Sequence, residues 1–105
     1  MAPAATPRVR LRLYVTGGTL RARQAAARVR ALCDERLGRD YELVVVDVLD
    51  QPEAAEAARI VATPTLVREV PLPPRHIVGD LARTDAVLAG LDLADDAALA
   101  ALDAR

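Results

Sequence analysis

Val9, Leu11, Leu13 and Val15 alternate with Arg8, Arg10, Arg12 and Tyr14, the period of a strand with one apolar face. Thr16-Gly17-Gly18-Thr19 breaks the alternation. From Leu20 to Leu37 the period changes to that of a helix, with Ala22, Ala25, Ala26, Val29, Leu32, Cys33 and Leu37 on one face. Thr19 or Thr16 serves as its N-cap and Gly38 closes it as a left-handed cap. A second strand follows over Tyr41 to Val48. Its run Leu43-Val44-Val45-Val46 is that of a strand covered on both faces, as in a parallel α/β sheet. Strand, helix and strand in this order make a βαβ unit, whose crossover handedness leaves few topologies open.

The second half is punctuated by proline. Asp50 is placed to cap a helix with Pro52 in its first turn, followed by the Ala-rich stretch Glu53 to Ile60. Ala62-Thr63-Pro64-Thr65-Leu66 leads into Val67 and Val70 as a third strand. Pro71, Pro73 and Pro74 interrupt before a short strand, His76 to Val78, closed by Gly79-Asp80. A last helix fits Thr84 to Leu91, with Val87, Leu88 and Leu91 as its buried stripe. The tail, 94–105, is acidic and Ala-rich and reads as a frayed helix or as disordered; residues 1–8 read as a mobile leader. One α/β domain over 9–93, in the order βαβαββα of the thioredoxin fold, accounts for the chain. At 105 residues with 52% apolar, it suffices for one core and not for two.

Composition narrows the chemistry. The net charge of −1 offers no general basic field for a phosphate backbone, which disfavours a nucleic-acid binder. The charge is unevenly placed: residues 1–50 hold nine Arg and six acidic residues, and 51–105 hold five Arg and nine, which favours charge-complementary partners or self-association. Counting about 100° per residue, Arg21 and Arg28 line one border of the first helix's apolar face and Arg23 and Arg30 the other, the pattern of a solvated rim. One cysteine excludes an internal disulfide, and one histidine leaves no zinc constellation. No apolar run approaches a membrane span, and the N-terminus lacks signal-peptide features, so the expected address is the cytoplasm, without membrane. Neither a cofactor nor a metal is expected.

Individual residues admit bland readings beside sharper ones. Cys33, on the apolar face of the first helix, is expected to be a buried, slowly alkylating thiol rather than a nucleophile. His76, next to Arg75, is a partly exposed strand residue or a pH-sensitive contact. Gly17-Gly18 lacks the Lys-Ser/Thr of a phosphate loop and reads as a turn.

In thioredoxin-like proteins a proline before the third strand is cis and faces the active-site loop, a pattern this chain resembles at Thr63-Pro64-Thr65. Where a thioredoxin carries C-x-x-C, however, the chain has Thr16-Gly17-Gly18-Thr19. The details resemble the KaiB family of circadian-clock proteins and their bacterial homologues. The blocks are Leu13-Tyr14-Val15 with its Gly/Thr turn, Val46-Asp47-Val48-Leu49 with Pro52, and Ile60-Val61-Ala62-Thr63-Pro64-Thr65-Leu66. Ile77-Val78-Gly79-Asp80-Leu81 and Val87-Leu88-Ala89-Gly90-Leu91-Asp92-Leu93 complete the set.

The resemblance implies a non-enzymatic protein that binds KaiC, a ring-shaped RecA-like ATPase, in a circadian oscillator, a timer or a stress pathway, and that competes with a sensor histidine kinase carrying a similar domain. It also implies a second, βαββααβ fold, dimeric or tetrameric at rest, from which the C-terminal half switches to the thioredoxin-like monomer. A partner that reads one of two folds shifts the population toward it, and moving from 1:99 to 99:1 takes about 5.5 kcal/mol of differential affinity. Pro64, Pro71, Pro73 and Pro74 make slow exchange expected. Leu72 interrupts what the family carries as consecutive prolines, a departure that bears on the rate more than on binding. Gly90 and Asp92 match positions that help to set which fold is populated. A Gly within the last helix and an acid at its negative end both disfavour the thioredoxin-like form, unless Gly90 merely opens a C-terminal turn. Arg12, Arg75 and the first helix's arginines are the candidate contacts with acidic groups of the ATPase. Two other classes stand against this one: a thiol-dependent thioredoxin-like enzyme using Cys33, and a purely structural oligomer.

Overall fold

The computed structural model describes residues 7–79, 81 and 84–91. Four strands and three helices follow in the order β1 (Val9–Val15), α1 (Leu20–Leu37), β2 (Tyr41–Asp47), α2 (Pro52–Ala57), β3 (Thr65–Val70), β4 (Arg75–Val78) and α3 (Thr84–Gly90). The sheet order is β2-β1-β3-β4, with β1 and β2 parallel and β3 and β4 antiparallel to their neighbours. This is the thioredoxin-like arrangement expected from the element order. Asp92 and the 94–105 tail lie outside the described residues. Within the expected leader, Arg8 is tied to Asp40 through both its main-chain N–H and its guanidinium.

The period-2 pattern of β1 divides the core. Val9, Leu11, Leu13 and Val15 pack with Ala22, Ala25, Val29, Leu32 and Cys33 of α1, with Leu66 of β3, and with Leu81, Val87 and Leu91. On the opposite face Tyr14 meets Val46 and Val67 beneath Ala54, Ala58 and Ile60, so the short α2 covers only that end of the sheet. Each wholly buried Leu or Val contributes about 1.5–3 kcal/mol, and most of this burial gathers on the α1 side.

Three expectations need correction. β2 is an edge strand, and Val44 and Val45 are exposed at 38% and 37%. Its run reaches the α1 layer at Tyr41 and Leu43 and the opposite layer at Val46, while Val44 and Val45 between them stay exposed. Asp50 does not cap α2: the cap position is Gln51, without a side-chain bond, and the helix ends at Ala57. Gly38 has a positive φ of 60° but a ψ of −118°, outside the left-handed helical region. No helix among the described residues is long and apolar enough to cross a membrane.

Candidate functional site

Three connections meet at the end of the sheet where β1 and β2 stop and β3 begins. Thr19 caps α1, its hydroxyl accepting from the Ala22 N–H at 3.1 Å while donating to the Thr16 carbonyl at 2.9 Å. One of the N–H groups that a helix start leaves without a partner is thereby used locally, and the turn is tied to it. Gly17 donates its N–H to Asp47 Oδ1 at 3.0 Å, and the same oxygen accepts from Leu49 N–H at 2.9 Å. A Cβ on Gly17 would stand 1.8 Å from Asp47 Oδ2, so this position admits only glycine while the carboxylate keeps its place. Gly18 takes φ +78°, which a side chain would strain.

Across from this turn the Thr63–Pro64 peptide is cis and Pro64 is buried. The hydroxyls of Thr16 and Thr63 are 2.9 Å apart and bridge the two loops. Pro64 O accepts from Gly79 N–H at 3.0 Å, which fastens the end of β4 to the same place. A shallow cavity of about 210 Å³ remains, lined by Val15, Thr16, Thr19, Arg21, Ala22, Thr63 and Pro64. Among the described residues its lining offers threonine hydroxyls and the Arg21 guanidinium but no thiol, carboxylate or histidine, so the dithiol of a thioredoxin has no counterpart there.

Cys33 lies 14 residues beyond Thr19 along α1, about 20 Å at the helical rise. It is buried, and desolvation, followed by the neighbouring Asp34 charge, pushes its thiol up to about 11, with Arg30 opposing weakly. The thiolate is scarce at neutral pH and remote from the cavity, which opposes a thiol enzyme. Among the described residues no group of three His, Cys, Asp or Glu could hold a metal.

Around the cavity the surface is apolar and cationic. Leu20, Leu49, Val61 and Val78 all lie at this pole and are exposed, Val61 at 93%. Arg28 and Arg30 are exposed about two to three turns further along α1; the helix begins here, without an acid in its first turn, and its Arg21 and Arg23 are exposed and form no ion pair among the described residues. The positive end of the helix dipole adds to their field.

The other candidate contacts do not join this surface. Arg12 is paired with Glu69 at 3.3 Å on the α2 face, beside Arg10 with Glu42 at 3.5 Å. His76 is in register with Val67 and through it with Arg12, and shares their face; Arg75 is in register with Arg68 on the opposite one. Both are exposed. Gly90 is the last residue of α3, and a Cβ there would meet Ile77 Cδ1 at 2.8 Å, a close approach that its lack of side chain permits. The Val70–Pro71 and Leu72–Pro73 peptides are cis. Sequence reasoning missed Asp47, which builds the pole. The one signal was an acid ending an apolar strand directly before a turn.

Fold and site together define a thioredoxin-like domain whose redox pole carries Thr-Gly-Gly-Thr in place of two cysteines. The chain belongs to the KaiB domain family, whose sequence pattern matches residues 12–93. It is 45% identical over 86 residues to the circadian clock protein KaiB3 of Synechocystis sp., covering 82% of this chain and 84% of that one. With the circadian clock oscillator protein KaiB of Synechococcus elongatus it shares 43% over 83 residues, 79% and 81% of the two chains. Among solved structures, the N-terminal domain of Synechococcus elongatus SasA matches with TM-score 0.69 at 25% identity, over 90% of each chain. Oxidised mitochondrial thioredoxin 3 of Saccharomyces cerevisiae matches with TM-score 0.64 at 19% identity over 81% and 77%, a likeness of fold alone.

Proposed function

We propose that this protein is a non-enzymatic clock-type module, a domain over 9–93 that binds a KaiC-like RecA-type ATPase through the cis-proline pole and the cationic start of α1. The observation that carries this reading is the coincidence at one pole of an absent dithiol, exposed Leu20, Val61 and Val78, and Arg21 and Arg23, which form no ion pair among the described residues. Apolar groups ringed by charge suit a protein contact, the charges setting approach and orientation and the apolar centre the residence time. Family membership supports the ATPase as the partner, and likeness to the SasA domain supports competition with a kinase-borne domain of the same fold. Family membership supports equally a switch between this thioredoxin-like form and an oligomeric resting fold, with Gly90, Asp92, Pro71, Pro73 and Pro74 as the proposed positions that tune it. Arg12, which is ion-paired with Glu69, stays a proposed contact beside the α1 arginines, as do Arg75 and His76.

The test is to mix the full chain with the KaiC-like ATPase of its own organism, with and without ATP, and follow native mass over hours. A complex that accumulates slowly is expected. Absence of a complex in every nucleotide state would overturn the reading.

A further inference from the structure

The alternation of β3 puts an arginine where an apolar residue belongs. Arg68 stands opposite Leu11 on the α1 side of the sheet, is 1% exposed, and is the largest wholly buried side chain among the described residues. A guanidinium keeps its charge at any accessible pH, so burial there demands acceptors. Nη1 donates to the Leu91 carbonyl at 2.6 Å and Nη2 to the Pro73 carbonyl at 2.8 Å. The first acceptor lies just past α3, among the carbonyls that a helix end leaves without an internal partner and where its negative dipole end points. The second lies in the turn between β3 and β4, in which Pro71, Pro73 and Pro74 have no N–H to offer.

We propose that Arg68 is a clamp that couples the proline turn to the last helix, so that the two dock on the sheet and leave it together. Lifting α3 alone strips one acceptor from a buried cation and bares Val87 and Leu91; lifting the turn alone strips the other. Either partial release forfeits part of the same charge-assisted pair, which makes joint release the favoured opening. The fork geometry is essential, because an ammonium is a point charge and does not span two carbonyls in fixed directions. Direct packing of Gly90 on Ile77 adds to the coupling without using charge. The clamp does not depend on the ATPase reading, and its test needs no partner.

Amide hydrogen exchange of the full chain, followed residue by residue for wild type, Arg68→Met and Arg68→Lys, reads the coupling directly. In the wild type, the amides of α3 and those of Leu72 and β4 are expected to open at one common rate. Both variants should speed these segments at least tenfold, now by different factors, while β1 and α1 keep their protection. Arg68→Lys keeps the charge and most of the volume, so it remains informative should Arg68→Met fail to fold. Unrelated wild-type rates for the two segments, uniform acceleration of the whole chain, or an unmoved α3 in Arg68→Lys would each overturn the proposal.

Discussion

Gly17→Ala is the smallest change that strikes at the proposed recognition pole. Its new Cβ would lie 1.8 Å from Asp47 Oδ2 and 2.3 Å from Cγ, so the carboxylate has to swing away. It then loses the N–H groups of Gly17 and Leu49, both held by Oδ1 at 3.0 and 2.9 Å. A hydrogen bond to a charged group contributes about 1.5–3 kcal/mol when buried, and Asp47 is half-buried, so losing both costs about 2–3 kcal/mol. In a domain of this size that lowers Tm by about 10–15 °C. Reversible urea unfolding of Gly17→Ala, Asp47→Ala and the double variant measures the effect. Because Asp47→Ala has already surrendered both bonds and vacated the space, the double variant should be no less stable than Asp47→Ala alone, a coupling of about 2 kcal/mol. The reasoning is refuted if Gly17→Ala stays within about 0.5 kcal/mol of wild type, or if the two single effects add.

Cys33, pushed up to about 11 by burial, should react with an aromatic disulfide reagent in the native protein at least a hundredfold more slowly than in urea. Comparable rates would mean an accessible thiol. The Arg8 main-chain N–H, then its guanidinium, hold the Asp40 carboxyl below its ordinary value. The folded-state value is thus the lower one, and the pair stabilises above the unfolded carboxylate value of about 4 and fades as pH falls through the folded value. Asp40→Asn should therefore lower the urea midpoint slightly at pH 7 and not at pH 2, and less in high salt, since both partners are over a third exposed. Gly90→Ala adds helix propensity while crowding Ile77; in an Ile77→Val background the same change should be more favourable by about 1 kcal/mol, measured by thermal unfolding. Equal effects in both backgrounds would show that Ile77 moves aside freely.

Much of this was legible because β1 and α1 have clean periods and caps: alternate apolar residues in one, a single apolar face in the other, and threonine and glycine at the joints. β2 misled in part because an apolar run reports burial potential and not coverage: both layers reach it, at Leu43 and at Val46, but leave Val44 and Val45 exposed on this edge strand. Arg68 and Asp47 were illegible for a different reason. Each is a polar residue whose role comes from groups distant in sequence, the carbonyl of Leu91 for one and the Gly17 N–H for the other. Arg12 was readable as an exposed strand cation, but not its pairing with Glu69, which required the register of β1 on β3. The missing dithiol was plain in the sequence; its replacement by an apolar, cationic rim around a threonine-lined cavity needed the fold.

That rim is the point on which recognition by this pole stands or falls. The direct measurement is the affinity of the full chain for its organism's KaiC-like ATPase, comparing Val61→Asp and Arg21→Glu with Leu72→Asp, an exposed apolar residue at the opposite end of the sheet. At least a tenfold loss for each of the first two, with Leu72→Asp unchanged, is the expected result. Unchanged binding by both pole variants, in a wild-type protein that does bind, would contradict it.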